Sequence, residues 1–152
     1  MNSQIVTGNL WTAHKIEDCY IVKLQDKANI TEALNDFIAY EKIKSGNISG
    51  VGIVKEMTLR FLDPTVKQYL YTHLNNPIDV QDISGCISES EGKPVLFLNA
   101  TMEWKNETTL SGQLMDAKVY GCTEFLFYSI NNTEMFMEKC LNLGKTSSWS
   151  FN

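Results

Sequence analysis

Residues Gly46-Asn47-Ile48-Ser49-Gly50-Val51-Gly52-Ile53-Val54 form the stretch that decides the fold. Its isoleucines and valines favour a β-strand, and its glycines mark places where the backbone bulges or approaches another strand closely. It is not a phosphate-binding loop, because it has no lysine-serine/threonine ending and no helix is predicted to follow. Met57 to Leu62 continues as a second strand, and Asp63-Pro64-Thr65 predicts a turn in which proline fixes φ. Val66 to Tyr71 is then the returning strand of a hairpin.

A helix is predicted immediately upstream of this stretch, after a first strand at Tyr20 to Leu24. Asn29 can cap the helix, and Glu32 lies three residues on, as in a capping box. Apolar residues recur at helical spacing on one face, namely Ile30, Ala33, Leu34, Phe37 and Ile38. Lys42 and Lys44 are expected in the last turn, and Gly46 is expected to end the helix in the left-handed conformation.

The downstream half of the chain is predicted to be mainly strands. The candidates are Val80 to Ser88, with a bulge at Gly85, then Val95 to Met102, Leu114 to Tyr120 and Cys122 to Ile130. One helix with about seven strands predicts an α+β domain. We expect a single domain over 1–152, with its core at about 18–130 and a tail at 131–152 that carries Trp149 and Phe151.

Composition limits the classes of function. Of 152 residues, 43% are hydrophobic and 20% are charged, which is ordinary globular usage. The net charge is −5 and Arg60 is the single arginine, so the chain lacks the basic composition typical of a DNA-binding domain. The four cysteines show no Cys-x-x-Cys spacing, which favours buried, reduced thiols. There is no apolar leader or membrane-length apolar run, so we expect a soluble cytoplasmic protein that makes no membrane contact.

Three segments in order resemble one known family. The first is the 46–54 stretch leading into Leu59-Arg60. The second is Val80 to Ile87, and the third runs from Leu110-Ser111-Gly112-Gln113-Leu114 to Thr123-Glu124-Phe125. Their order and spacing resemble the PPC (plants and prokaryotes conserved) domain over most of the chain. The resemblance implies a strongly bent, mostly antiparallel sheet with one main flanking helix, usually assembled as a homotrimer, and a fold related to acetolactate decarboxylase, a zinc enzyme.

The resemblance also identifies a metal site that this chain has lost. Many prokaryotic members carry a His-x-His pair on one strand and a third histidine in a Gly-Gly-His-Leu segment. Here Phe97 and Asn99 stand at the paired positions and Gln113 at the third. Phenylalanine cannot bind a metal and neutral amide oxygens are poor zinc ligands. We therefore expect no metal, no other cofactor and no catalytic residues.

Five residues are candidates for a ligand site, and two interpretations remain open for them. Phe97, Asn99 and Gln113 could line a remnant pocket, or the former site could be filled, with the two amides bonded to each other or to backbone. Glu124 could be a general base, or it could pair with a lysine or arginine such as Arg60.

The function that we predict from the sequence is that of a non-catalytic trimeric PPC protein, acting through assembly or partner binding. The alternative is a small-ligand-binding protein that uses the metal-free remnant pocket. DNA binding is suggested by the family, but in plant members it is attributed to a separate Arg-Gly-Arg-Pro type AT-hook. Nothing like that hook occurs here, and the acidic charge disfavours duplex binding.

Overall fold

The computed structural model describes residues 3–104 and 107–130; the predicted tail at 131–152, with Trp149 and Phe151, lies outside them. The elements are β1 (Ser3–Thr7), β2 (Trp11–Ile16), β3 (Cys19–Leu24), α1 (Ile30–Glu41), β4 (Gly46–Asp63), β5 (Gln68–Leu74), β6 (Ile78–Ser90), β7 (Lys93–Trp104) and β8 (Thr108–Ser129). The predicted α+β class, with a mostly antiparallel sheet and one helix, is confirmed.

The described strands form one sheet in the order β1-β2-β3-β8-β7-β6-β4-β5, and their pairings are antiparallel. An additional pairing of β8 with β4 closes β4, β6, β7 and β8 into a ring. The length of β8 makes this closure possible. Its first part, 108–113, lies against β7, and its later part, 123–128, lies against β3.

The sheet of the described residues has eight strands rather than the predicted seven or so. β1 and β2 were not predicted, because the side chains of β1 are mostly exposed and β2 carries only two fully buried residues, Trp11 and Ala13. At two other places in the chain, a pair of predicted strands forms one continuous strand. Gly46–Asp63 is continuous through register shifts between Gly50 and Leu59, and Thr108–Ser129 is continuous through Gly121.

The start of the helix is as predicted and its end is not. The Asn29 side chain accepts a hydrogen bond from the Glu32 backbone N–H at 2.9 Å, which caps the helix. The left-handed C-terminal residue is Lys42, at φ 55°, rather than Gly46. Gly46 instead begins β4, where a Cβ would lie 2.2 Å from the Tyr128 carbonyl oxygen. The last turn of the helix carries no basic residue, because it has already ended at Glu41.

A single hydrophobic core lies between α1 and the inner face of the sheet. The five predicted apolar residues of α1 are all buried. Trp11 of β2 is fully buried, and its indole N–H donates to Asp36 Oδ2 of the helix at 2.8 Å. Within the described ranges, no helix combines the length and the apolar content needed to cross a membrane.

The glycine-containing strands pair unusually closely. A Cβ at Gly85 would lie 1.7 Å from the Phe97 carbonyl oxygen, so no larger residue fits between β6 and β7 there. Gly85 pairs in register with Leu98 and is not the predicted bulge. The register shift occurs instead on β4, between Gly50 and Gly52.

Candidate functional site

Phe97 and Asn99, the positions at which the resemblance implies a histidine pair, lie on the outer face of β7. Leu98 and Ala100 are buried in the core, so Phe97 and Asn99 project to the opposite face. Phe97 is 47% exposed and Asn99 is also exposed. The strand therefore presents both side chains together, as the resemblance implied for the histidines.

Gln113 and Arg60 continue this row on the next two strands. Asn99 is paired with Gln113 across β7 and β8, and Gln113 is paired with Arg60 across β8 and β4. Arg60 Nε and Nη2 donate to Gln113 Oε1 at 3.1 and 2.6 Å, and its guanidinium lies 4.1 Å from the centre of the Tyr69 ring. Arg60 is thus fixed by a forked hydrogen bond and by a cation–π contact.

These residues do not fit a metal ion. Phe97 supplies no donor atom, and the Gln113 amide oxygen already accepts two bonds from a permanent cation. A second cation placed beside Gln113 would be repelled by Arg60. Nor do residues 3–104 and 107–130 contain a group of three or more histidine, cysteine, aspartate or glutamate side chains able to hold one.

An acidic residue, Asp82, lies near Asn99 on the side of β7 away from Gln113. Ser84 of β6 is paired with Asn99, and the Ser84 hydroxyl lies 3.3 Å from Asp82 Oδ2. Asp82 lines a groove of about 340 Å³ on the outer face of the sheet. The groove is lined by Ile21, Ser49, Gly50, Val51, Asp82, Glu124, Phe125 and Leu126.

Glu124 is the one sequence candidate that lines this groove. Its carboxylate lies 3.9 Å from Lys23 Nζ, and both side chains are at least half exposed. Arg60 is not its partner within the chain, since Arg60 bonds Gln113, which lies eleven positions earlier on β8. Phe97, Asn99, Gln113 and Arg60 are absent from the groove lining, so the structure divides the five candidates into two places.

Sequence reasoning missed the apolar part of the groove. Ile21 and Leu126 each lie between two buried residues of their strand, so their side chains point to the outer face of the sheet. Both are apolar, and both are partly buried on that face. A strand that is apolar on both faces indicates that its outer face is covered or concave. That signal is present in Tyr20 to Leu24 and in Phe125-Leu126-Phe127, which the sequence analysis predicts as strands without assigning a function to their outer face.

The groups with shifted pKa values lie away from this site. Burial raises the pKa of the Cys19 thiol. Burial, and secondarily the Glu41 carboxylate, raises the pKa of the Tyr20 hydroxyl. Neither residue lines the groove, and neither belongs to the row of Asn99, Gln113 and Arg60.

Comparison with known proteins agrees with this architecture. Residues 12–131 match the Plants and Prokaryotes Conserved (PCC) domain, the family abbreviated PPC above. A Bacteroides thetaiotaomicron protein described as a putative DNA-binding protein is 31% identical, with a TM-score of 0.76, over 82% of this chain and 87% of its own. No curated protein matches.

Two more distant structures share the fold. A PPC protein of Pyrococcus horikoshii is 16% identical, with a TM-score of 0.67, over 84% of this chain and 87% of its own. A metal-containing protein of Archaeoglobus fulgidus is 21% identical, with a TM-score of 0.66, over 76% of this chain and 81% of its own. The family match extends from β2 to the end of β8, and on that match this chain belongs to the Plants and Prokaryotes Conserved domain family.

Proposed function

We propose that this chain is a non-catalytic assembly domain that forms a homotrimer in the cytoplasm and acts by binding a partner protein. The observation that carries the proposal is the state of the family's metal position. Phe97 has no donor atom, and the Gln113 oxygen is occupied by the Arg60 guanidinium. A site that holds its own fixed cation is suited to structure and recognition rather than to activating water on zinc.

The edges of the sheet also support assembly. β1 and β5 are the terminal strands in the sheet order, and each has a free edge in the described residues. β5 and the turn before it expose Val66, Tyr69, Leu70 and Tyr71, each by more than half. Free edges and exposed aromatic side chains are features that proteins commonly cover by association.

The test of this proposal is the mass of the purified protein in solution. Sedimentation velocity between about 1 and 100 µM should give a species three times 17.2 kDa, or about 52 kDa. Its proportion should fall only at the lowest concentrations. A mass of 17.2 kDa across the whole range would contradict the proposal.

Duplex DNA is a weaker candidate partner, although two similar proteins are described as putative DNA-binding proteins. The single arginine is committed to Gln113, and Lys23 and Lys118 each lie within ion-pair distance of a glutamate. A trimer would carry a net charge of −15 by tripling the −5 of each chain. Counterion release needs a cluster of free cations, so binding to random duplex at about 150 mM salt should be weaker than micromolar.

The groove favours a second candidate function, the binding of a small ligand. Its volume of about 340 Å³ is at the lower end of the range for ligand pockets, and it combines apolar walls with Asp82 and Glu124. Native mass spectrometry of freshly purified protein should then show a retained adduct. The adduct should disappear in Glu124→Gln and persist in Glu56→Gln, which alters a comparably exposed glutamate paired with Lys118. An adduct that is absent, or unaffected by Glu124→Gln, would reject this candidate.

A further inference from the structure

Arg60 of β4 is a cation that no carboxylate neutralises in the part of the chain that the structure describes. The ion pairs found there belong to two lysines, Lys23 and Lys118. The Arg60 guanidinium instead contacts the neutral amide of Gln113 and the ring of Tyr69. A neutral amide orients a guanidinium but does not cancel its charge, so Arg60 keeps the capacity to bind an anion.

Part of the Arg60 guanidinium has no partner. A guanidinium carries five N–H donors in one plane. Nε and Nη2 each donate one bond to Gln113 Oε1, at 3.1 and 2.6 Å, which occupies one edge of that plane. The Tyr69 ring, whose centre lies 4.1 Å away, covers one face. The edge between Nη1 and Nη2 has no acceptor among the described residues, and it is a fork of two parallel donors.

Neutral donors continue from Arg60 along the row. Gln113 turns its amide oxygen to the guanidinium, so its amide nitrogen is directed elsewhere. Asn99 is paired with Gln113, and its side-chain amide has no hydrogen-bond partner within the described ranges. One positive charge with N–H donors beside it favours an anion over a cation or a neutral ligand.

Exposed apolar side chains lie beside Arg60 on the same face of the sheet. Tyr71 is paired with Arg60 across β4 and β5, and Tyr69 is paired with Leu62 two residues along β4. Paired residues share a face, as do residues two apart on one strand. Leu62, Tyr69 and Tyr71 are 48%, 53% and 61% exposed. A ligand whose charged group binds Arg60 can therefore place an apolar body on these side chains.

A singly charged carboxylate matches this arrangement. Its two oxygens lie in one plane and fit one edge of a guanidinium. A phosphate dianion would bring two negative charges to a single cation, on a chain whose net charge is already −5. We propose that Arg60, Gln113 and Tyr71 form a binding site for a small monocarboxylate with an apolar body, such as an aromatic acid. The lining of the 340 Å³ groove includes none of these three residues, and the proposal does not depend on the homotrimer.

Benzoate and benzamide are the probes that separate recognition of charge from contact with the ring. The two molecules have the same ring and nearly the same shape, but only benzoate is charged. Charge-assisted hydrogen bonds are about twice as strong as neutral ones, so benzoate should bind at least about tenfold more tightly. NMR titration of isotope-labelled protein at constant ionic strength measures both affinities. The Arg60 Nε–H signal should shift with benzoate.

Gln113→Glu tests the site itself, because it keeps the forked contact with Arg60 and supplies a carboxylate from within the chain. Benzoate affinity should then fall at least about tenfold. Gln25→Glu adds the same charge in the loop between β3 and α1, where Gln25 is exposed, and should leave the affinity unchanged. Arg60→Lys keeps the positive charge but removes the planar fork, and should also weaken binding at least about tenfold.

The outcomes are distinct. The proposal is supported if benzoate binds more tightly than benzamide and if its binding is lost in Gln113→Glu and Arg60→Lys but kept in Gln25→Glu. It is overturned by equal affinities for the two probes, by no benzoate binding below about 20 mM, or by equal benzoate affinities in wild type and Gln113→Glu. If circular dichroism shows that a variant does not fold, the two probes and the Arg60 Nε–H signal in wild type decide. Sedimentation velocity of the same wild-type sample tests the homotrimer separately, so either proposal can fail alone.

Discussion

Removing the Thr123 hydroxyl should stabilise the protein. Thr123 is 1% exposed, and its Oγ1 is the buried side-chain polar atom that has no hydrogen-bond partner among the described residues. Its methyl group packs against Gly52, where a Cβ would lie 2.3 Å from Thr123 Cγ2. Thr123→Val keeps this shape and replaces the unsatisfied hydroxyl with a methyl group.

The size of the effect follows from the cost of burying an unpaired hydroxyl. Mutational data place that cost at about 1–3 kcal/mol, so the free energy of unfolding should rise by about that amount. For a chain of this length, each kcal/mol corresponds to about 2–4 °C in Tm. Urea unfolding at fixed protein concentration measures the change and keeps any contribution from assembly constant.

Thr58→Val is the matched control, since the Thr58 hydroxyl is bonded to His73 Nδ1 at 2.9 Å. That variant should lose about 0.5–1.5 kcal/mol, because it removes a made hydrogen bond. A loss of stability in Thr123→Val similar to that in Thr58→Val would refute the reasoning. It would show that the Thr123 hydroxyl has a hydrogen-bond partner after all.

Three further predictions concern the strands around Phe97 and Gln113. In urea unfolding, Gly85→Ala should lower the free energy of unfolding by about 3 kcal/mol, because its Cβ would lie 1.7 Å from the Phe97 carbonyl oxygen. Gly92→Ala, whose Cβ would lie in open space at φ 79°, should lower it by about 1 kcal/mol. Arg60→Met should lower the free energy of unfolding by about 1–2 kcal/mol, because it removes two hydrogen bonds to Gln113 and the contact with Tyr69. Its control, Lys55→Met, removes a contact with Tyr120 at 5.8 Å and should change the free energy of unfolding by less than about 0.5 kcal/mol. Elemental analysis of wild-type protein should find no stoichiometric zinc, and zinc that disappears on Gln113→Ala would contradict the assigned role of Arg60.

Local signals in the sequence were enough to predict the helix, the hairpin and the family. The Asn29 cap and the apolar face of α1 depend on residues within a few positions of each other, and both predictions were confirmed. The predicted end of the helix was wrong, because glycine is the residue that most often takes the left-handed conformation but other residues can take it too. Lys42 takes that conformation here, and Gly46 is needed where β4 passes the Tyr128 carbonyl.

The arrangement of the candidate site depends on pairings between distant strands, which the sequence alone does not reveal. Asn99 and Gln113 come together only because β7 and β8 pair at that register, and Arg60 joins them because β4 closes the ring. The separate pairing of β3 with β8 places Glu124 beside Lys23 rather than beside Arg60.

Native mass spectrometry of wild-type protein tests the central claim, that the chain assembles as a homotrimer, most directly. One chain has a mass of 17.2 kDa, so a trimer of about 52 kDa is clearly separated from a monomer and from a dimer. The account predicts that the trimer is the main species at micromolar concentration. A spectrum in which the 17.2 kDa monomer is the main species at the same concentration would contradict it.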